Sequence, residues 1–307
     1  QPPRWHSERL PADDLPVLVL FDGWNSFFRS RVVPWRIGMA EKTRAQLERE
    51  LLPRFLPRQR WFASKSETLE RVALAECAEL DHDGHRWLVA LADAQGPGGP
   101  ARYFLPLALA FEEHDEERAR ALAAVAFAKV RQQASMGVLA DAMADEPFCR
   151  ALVECVGARR ELRTDHGTLR FVPARGFHDV IGDGVGAPLP LVRLTTSSNS
   201  ITLLGDLLFI KAYRRVRPGV NPELEMGRHL AEAVGYRHCV PVAGSVEYVA
   251  ADGASWTLAM LQARVTNQGD AWSFTVDQLA AILELRRATA EDADGAADAL
   301  IERMKVL

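Results

Sequence analysis

Two tight turns within residues 189–262 limit what this chain can fold into. Gly205-Asp206 and Asp252-Gly253 each separate two short apolar runs that are typical of β-strands. A turn of two residues joins antiparallel neighbours, because a parallel pair needs a crossover of about a dozen residues or more. The four runs are Ser200–Leu204, Leu207–Tyr213, Gly244–Ala250 and Ser255–Leu261. The pattern therefore predicts a largely antiparallel sheet in this part of the chain.

A helix is predicted between the two hairpins. Asn221 suits an N-cap, Pro222 suits the first helical position, and Gly235 suits the end of a helix that stops near Val234. With a further strand predicted at Leu189–Thr195, the order becomes three strands, one helix and two strands. This order resembles the small lobe of protein-kinase-like folds.

One lysine interrupts the third strand of this predicted lobe. The strand reads L-L-F-I-K-A-Y, and Lys211 is its only charge. A lysine in an apolar strand loses hydration unless an anion meets it. Nucleotide phosphates and a carboxylate from the following helix would both serve, and we expect Glu225 rather than Glu223 to supply the carboxylate. The alternative is an edge-strand lysine whose ammonium reaches water.

Two further stretches of the predicted lobe are candidate nucleotide contacts. A polar turn lies between the first two strands, where backbone N–H groups can bind phosphates. We assign this role to Ser197, Ser198, Asn199 and Ser200. Leu261 and Gln262 end the last strand, where a kinase hinge offers backbone groups to adenine. An ordinary turn remains the alternative for the serine-rich stretch.

Residues 39–133 are predicted to form a small α+β module. Its predicted elements are a helix near Met39–Phe55, strands near Leu69–Leu80, His85–Asp93 and Arg102–Phe111, and an alanine-rich helix near Glu113–Gln133. The run Asp81–Gly84 is a hairpin turn signal, and Asp165–Gly167 is a later one. We interpret Ala134–Ala144 as a linker, after which Asp145 is expected to cap a short helix.

The first 38 residues are rich in proline and aromatic side chains. Val17–Phe21 is the one predicted strand, and four aromatic residues follow it: Trp24, Phe27, Phe28 and Trp35. Such a segment has too few residues for a core of its own. We therefore expect its aromatic side chains to pack on the rest of the chain or on a neighbouring molecule.

Composition and motifs exclude several classes of protein. The 307 residues carry a net charge of −4, so there is no basic excess of the kind that nucleic-acid binders show. No apolar run approaches the roughly 18 residues that a membrane helix needs, and the N-terminus does not read as a signal peptide. The four cysteines and eight histidines show no metal-site spacing, so reduced thiols in the cytoplasm are expected. The glycines at 182, 184 and 186 fail G-x-G-x-x-G, and no P-loop is present.

Several motifs, in order, resemble the maltokinases. They are Phe55–Lys65 (F-L-P-R-Q-R-W-F-A-S-K), Ser197–Ser200, Gly205–Lys211, Pro218–Glu225 and Gln268–Trp272. The resemblance covers about residues 40–285. It implies an N-terminal cap domain before the kinase small lobe, transfer of the ATP γ-phosphoryl to maltose with Mg²⁺, and maltose 1-phosphate as the product. Ala63 stands where the family often has glycine, and the residues alone give Arg60, Trp61 and Lys65 no role beyond packing.

The resemblance also implies an organisation into four parts. Residues 1–38 look like the connector behind a fused trehalose synthase, 39–133 like the cap, 134–265 like a small lobe of five antiparallel strands and one helix, and 266–307 like the start of a helical large lobe. The fold class is therefore α+β. No H-G-D-like catalytic loop is present, so the resemblance implies that catalytic residues and Mg²⁺ ligands lie beyond residue 307 and that this stretch alone is inactive.

Two rival interpretations remain open at the level of sequence. The chain could be a non-catalytic scaffold of a trehalose synthase fusion. It could equally be a kinase of the same fold with an aminoglycoside, choline or homoserine as acceptor. The R-Q-R-W-F block argues against the second rival, though only through the resemblance.

Overall fold

The computed structural model describes residues 15–62, 69–182, 189–194, 198–267, 269, 271–289 and 301–302. The chain divides into a unit of Gln1–Arg264 and a second unit of Val265–Leu307. Two seven-stranded sheets and several short helices build the first unit, which confirms the predicted α+β class.

The first sheet has the strand order β1-β5-β6-β4-β3-β2, and β12 also pairs with β4. Its strands are β1 (Val17–Leu20), β2 (Arg71–His82), β3 (His85–Gly96), β4 (Gly99–Phe111), β5 (Ala126–Gln132), β6 (Ser135–Asp141) and β12 (Arg215–Val216). The predicted β2–β3 hairpin is confirmed. Asp83 and Gly84 both have positive φ, at 48° and 75°, as a two-residue turn between right-twisted strands requires.

Helices and 3₁₀ turns connect and cover the strands. The helices are α1 (Ile37–Gln46), α2 (Leu52–Phe55), α3 (Glu116–Ala123), α4 (Glu146–Gly157), α5 (Phe177–Ile181), α6 (Pro222–Arg228) and α7 (Ala271–Thr289). Single π-helical stretches, Leu47–Leu51 and His229–Val234, continue α1 and α6. The 3₁₀ turns are Gly23–Phe27, Arg29–Arg31, Pro34–Arg36, Leu56–Arg58 and Ala142–Ala144.

The first sheet is buried on both faces. Along β3, Trp87, Val89 and Leu91 belong to one hydrophobic core, which they share with α4 and the second sheet. The alternate residues Leu88 and Ala90 belong to another core, which they share with the N-terminal segment, the π-helical stretch Leu47–Leu51 and α2. This two-sided burial explains why β3 reads as a nearly continuous apolar run rather than an alternating one.

The predicted alanine-rich helix at Glu113–Gln133 is wrong in its second half. Only Glu116–Ala123 is helical, and residues 126–141 form the hairpin β5–β6 instead. The predicted linker Ala134–Ala144 is therefore largely a strand of the first sheet. Pairing to β4 and β1 stabilises these residues as strands, although alanine favours helices in isolation.

Asp145 precedes α4 as predicted but does not cap it. Its carboxylate accepts hydrogen bonds from Trp87 Nε1 at 2.6 Å and from Arg118 Nη2 at 2.7 Å, and no side-chain capping bond forms. A buried aspartate gains more from a guanidinium than from a neutral amide, because charge-assisted hydrogen bonds are stronger.

The N-terminal aromatic segment packs on the first sheet, as expected for three of its four aromatic residues. Trp24, Phe27 and Phe28 are buried in the core around α1, and Trp24 Nε1 donates to Arg86 O at 3.1 Å. β1 adds a parallel edge strand beside β5. Trp35 is 71% exposed in the 3₁₀ turn Pro34–Arg36, so it does not pack on this chain, and packing on a neighbouring molecule stays a prediction for it.

The second sheet is fully antiparallel, with the order β7-β8-β13-β14-β11-β10-β9. Its strands are β7 (Glu161–Arg163), β8 (Gly167–Pro173), β9 (Leu191–Leu194), β10 (Ser200–Leu204), β11 (Leu208–Ala212), β13 (Val242–Ala250) and β14 (Ser255–Ala263). The predicted five strands are all present, in the predicted order around α6. The predicted number is too low, because the β7–β8 hairpin joins the same sheet beside β13.

A buried arginine joins the two sheets. Arg214 is 0% exposed, whereas the nearby Arg215 and Arg217 are exposed. Its Nη2 pairs with Asp141 of β6, its Nη1 donates to Phe104 O of β4 at 3.3 Å, and its Nε donates to Ser200 Oγ of β10 at 2.7 Å. The next two residues then pair with β4 as β12.

The described part of the second unit contains one long helix, α7. In α7, apolar side chains are largely exposed, Trp272 at 78% among them. Across the described residues, no helix combines the length and apolar character needed to cross a membrane.

We expect Asp141→Asn to destabilise the fold by about 3–5 kcal/mol, because the change leaves the buried Arg214 guanidinium without its counter-charge. An asparagine can still accept the Met143 N–H that Asp141 Oδ1 accepts now. Urea unfolding measures the difference. The matched control is Asp93→Asn, since Asp93 pairs with Arg102 while 47% exposed and should cost under about 1 kcal/mol. Equal losses in the two variants would contradict the role given to Arg214.

The thiols provide a second check of the fold. Cys77, Cys149 and Cys155 are buried, and burial raises all three pKa values, that of Cys77 to about 12. Cys239 is half-buried. At pH 8 we expect a disulfide reagent to titrate about one thiol rapidly in the native protein and all four after denaturation, since the thiolate is the reactive form. Rapid reaction of two or more thiols in the folded protein would contradict the burial of Cys77, Cys149 and Cys155.

Candidate functional site

Strand β11 presents Lys211 on the face of the second sheet opposite to the one that carries Leu208, Ile210 and Ala212. Along the strand, Leu208, Ile210 and Ala212 are fully buried, whereas Phe209 and Lys211 are half-buried. Lys211 lies opposite Ile201 of β10 and Met260 of β14, so it is in the middle of the sheet rather than at an edge. The edge-strand alternative is therefore excluded.

Helix α6 begins beside this lysine because its first turn is tied to β14. Asn221 is the predicted N-cap, and its Oδ1 accepts the Glu223 N–H at 2.9 Å. The Asn221 N–H in turn donates to Thr257 Oγ1 at 2.9 Å, and the Gly219 N–H donates to Ser255 O at 2.7 Å. Gly219 has a φ of +97°, which explains the glycine in this connection.

The ion partner of Lys211 is Glu223, not Glu225. Lys211 Nζ donates to Glu223 Oε2 at 2.6 Å, and the Lys211 side chain is 18% exposed. Glu225 is exposed. Residues two apart on a helix differ by about 200° in direction, so only one of these glutamates can face the strand. Capping by Asn221 fixes the rotation of the helix so that Glu223 faces the strand.

A tyrosine contacts the same carboxylate. Tyr213 lies two residues after Lys211, is 5% exposed, and donates its hydroxyl to Glu223 Oε2 at 3.0 Å. Burial, together with the neighbouring Glu223 carboxylate, raises the pKa of Tyr213 far above its ordinary value. The phenol is therefore a hydrogen-bond donor throughout the physiological pH range. Sequence reasoning missed it, although its i+2 spacing from Lys211 on a strand was a usable signal.

Around Lys211 the same sheet face is apolar and partly open. Val192 is 50% exposed and Leu194 is 37% exposed, and both lie on β9. The half-buried residues Ile201, Leu203 and Phe209 continue the face across β10 and β11. An apolar surface with one charged group at its end has the chemistry to bind a flat aromatic ring that carries an anionic tail.

The predicted phosphate-binding loop is only partly described. Ser197 lies outside the described residues, Ser198 is exposed and Asn199 is half-buried. Ser200 is 7% exposed, and its hydroxyl accepts the Arg214 Nε–H inside the junction between the sheets, so its side chain is turned away from the Lys211 face. Alternation along β10 directs Ser200 inward because Ile201 faces outward.

The predicted hinge residues Leu261 and Gln262 lie near the end of the last strand, which ends one residue later at Ala263. Strand β14 runs on to Ala263 and pairs with β13 on one side and β11 on the other at both positions. The N–H groups of Ala263 and Arg264 are also used, by Pro241 O and Leu207 O, each at 2.9 Å. The Gln262 side chain lies opposite Phe209 on the Lys211 face.

Trp61 of the R-Q-R-W-F block packs against the buried arginine. The Arg214 guanidinium lies 5.0 Å from the Trp61 ring centroid, and Trp61 is 6% exposed. This contact gives Trp61 a packing role at the junction. Arg60 is exposed, and Lys65 lies outside the described residues.

No metal site appears in the described ranges, where no group of three or more His, Cys, Asp or Glu side chains is placed to hold an ion. A small cavity exists in the first sheet beside the β3–β4 turn, lined in part by Phe62, Tyr103 and Arg215. None of the predicted site residues lines it.

Comparison with known proteins supports the presence of a maltokinase-type cap domain in the first half of the chain. Residues 55–145 match the family model of the maltokinase N-terminal cap domain, which corresponds here to β2–β6 with α3. A structure of glucosamine kinase in complex with glucosamine, ADP and inorganic phosphate is similar over 73% of this chain, at 19% identity and a TM-score of 0.39. Crystal form A of glucosamine kinase gives the same identity and TM-score. The chain spans 42% of the length of the first of these kinases. The resemblance to maltokinases is thus confirmed for residues 55–145.

Proposed function

We propose that this chain supplies the nucleotide-binding lobe and the cap of an ATP-dependent sugar kinase. The observation that carries the proposal is the Lys211–Glu223 ion pair, which sits on an open apolar sheet face at the start of α6. A lysine that a helix carboxylate orients toward the phosphates is a recurring part of phosphoryl-transfer sites. The maltokinase cap match immediately before this lobe favours a sugar as acceptor.

Each part of the face would have a separate task. The Lys211 ammonium would bind the α- and β-phosphates, and Glu223 would keep it in place. The apolar residues Val192, Ile201 and Phe209 would contact the adenine ring. The loop of Ser197, Ser198 and Asn199 is proposed to cover the phosphates. ATP supplies the γ-phosphoryl group when bound, and the residues described here position it without taking a proton.

The finer assignment is maltose as acceptor, with maltose 1-phosphate as the product. It rests on the cap, because no sugar-binding residue is identified in the described part of the chain. We extend the proposal to a fused or associated trehalose synthase that supplies maltose for α-glucan synthesis. Mg²⁺ would accompany ATP, but no described residue is assigned as its ligand.

We expect Lys211→Met to weaken ATP and ADP binding by about 10²-fold, which corresponds to about 2.7 kcal/mol, because the apolar stem stays while the charge that meets the phosphates is lost. Calorimetry, or fluorescence of a labelled ADP, measures the affinity in this chain. Lys129→Met is the matched control, since Lys129 is a half-buried lysine in strand β5 of the first sheet. Equal affinity of Lys211→Met and the unaltered chain would refute the proposed site.

The two glutamates provide an internal comparison. Glu223→Gln should weaken nucleotide binding by about tenfold, because the neutral amide no longer fixes the ammonium. Glu225→Gln should change the affinity by less than about twofold, since Glu225 is exposed. The reverse ranking would restore Glu225 as the functional partner. In the full-length protein, phosphorylation of maltose in preference to glucosamine and choline tests the acceptor.

A further inference from the structure

Two groups converge on one carboxylate oxygen at the start of α6. Glu223 Oε2 accepts from Lys211 Nζ at 2.6 Å and from the Tyr213 hydroxyl at 3.0 Å. Lys211 Nζ also lies 5.7 Å from the centroid of the Tyr213 ring. The hydroxyl has a second neighbour in Met260 Sδ at 3.8 Å, which is a weak acceptor. The phenol therefore has one strong partner, and that partner is Glu223.

The Glu223 side chain needs such a restraint. Its side chain is 41% exposed, so water competes for its carboxylate and its rotamers are not fixed by packing. An exposed ion pair alone contributes about 0–1 kcal/mol, which is too little to hold one geometry. Tyr213, by contrast, is 5% exposed, and its backbone N–H is bound to Leu258 O at 2.8 Å. A buried donor thus contacts a half-exposed acceptor.

The ordinary alternative is that Tyr213 is simply a core residue whose hydroxyl has found an acceptor. Its ring does belong to the shared core. A packing role alone predicts that loss of the hydroxyl affects stability and leaves Lys211 unchanged. A positioning role predicts a change at Lys211 that depends on Glu223.

We propose that Tyr213 is a positioning residue of the nucleotide site: its hydroxyl fixes the Glu223 carboxylate, which in turn fixes the Lys211 ammonium for the phosphates. This inference rests on the proposed function for its consequence in nucleotide binding. The contacts among Tyr213, Glu223 and Lys211 do not depend on the proposed function. The arrangement also explains how α6 presents Glu223 in a fixed position while the exposed Glu225 is left to solvent.

The test removes only the hydroxyl, with Tyr213→Phe. We expect the acylation rate of Lys211, followed by peptide mass spectrometry after brief treatment with an N-hydroxysuccinimide ester, to rise about threefold to tenfold. ADP affinity should fall by a similar factor. The matched control is Tyr248→Phe, because Tyr248 is a 2% exposed tyrosine that also lies beside a glutamate, Glu76. It should leave both quantities unchanged while it reports the cost of losing a buried hydroxyl.

A double-mutant cycle identifies the path of the effect. In a Glu223→Gln background, Tyr213→Phe should add little, because the group through which it acts is already gone. Glu223→Gln alone should also raise Lys211 acylation, so the proposal is tested even if Tyr213→Phe folds poorly.

The outcomes separate the two proposals. If Lys211 acylation is the same in Tyr213→Phe and the unaltered chain, or rises equally in Tyr248→Phe, the positioning role is overturned. If the unaltered chain binds ADP and Tyr213→Phe binds it equally well, the consequence for phosphate binding is overturned. If acylation changes as expected but the unaltered chain binds no nucleotide, the proposed function fails while the positioning of Lys211 by Tyr213 is supported.

Discussion

The buried Arg214–Asp141 ion pair is the contact on which the arrangement of this chain depends. Neither side chain reaches solvent to a meaningful extent, at 0% and 4% exposure, so separating them would leave an uncompensated charge in the core. Arg214 has further fixed neighbours on both sheets, in Phe104 of the first and Ser200 of the second. The first sheet is therefore joined to the second through buried polar contacts and is not a separately attached module.

This junction bears directly on the candidate site because of the alternation along one strand. Lys211 and Arg214 lie three residues apart and point to opposite faces, Lys211 toward Glu223 and Arg214 toward the first sheet. The arginine that anchors the chain to the first sheet thus directly follows the tyrosine whose hydroxyl contacts Glu223. Arg215 and Val216 then continue into β12, paired with β4. The position of Lys211 is therefore set by contacts that residues 211–216 make with α6 on one side and with the first sheet on the other.

Other polar contacts reinforce the same junction. Thr202 Oγ1 donates to Met143 O at 3.0 Å, between β10 and the turn before α4. Glu76 of β2 accepts from Thr164 Oγ1 at 2.6 Å and from the His166 N–H at 2.9 Å, at the β7–β8 turn. Burial alone would raise the pKa of Glu76, but these hydrogen bonds outweigh it and the pKa is lowered. The Glu76 contribution to stability is therefore present at neutral pH and is lost only as the pH falls through this lowered value.

Sequence reasoning succeeded where local chemistry decides the conformation and failed where tertiary contacts do. Gly205, Gly253 and Asn221 act within a few residues of themselves, and the hairpins and α6 were predicted from them. The β5–β6 hairpin was missed because its turn has Gln133 at a φ of 55°, in place of the glycine or asparagine that normally marks such a turn. The burial of Arg214 depends on Asp141, 73 residues away, which no local pattern reveals.

The pairing of Lys211 with Glu223 rather than Glu225 shows which part of the site could not be predicted from the sequence. Both residues follow Asn221 closely, and both are compatible with a helix that begins at Pro222. What separates them is the rotation of the first turn, which the Asn221–Thr257 hydrogen bond sets by tying the cap to β14. With that rotation fixed, Leu224 enters the core at 0% exposure, Glu223 meets Lys211, and Glu225 is left in solvent. The lysine could be chosen from its own strand, but its partner depended on how a helix is attached to a strand 36 residues later.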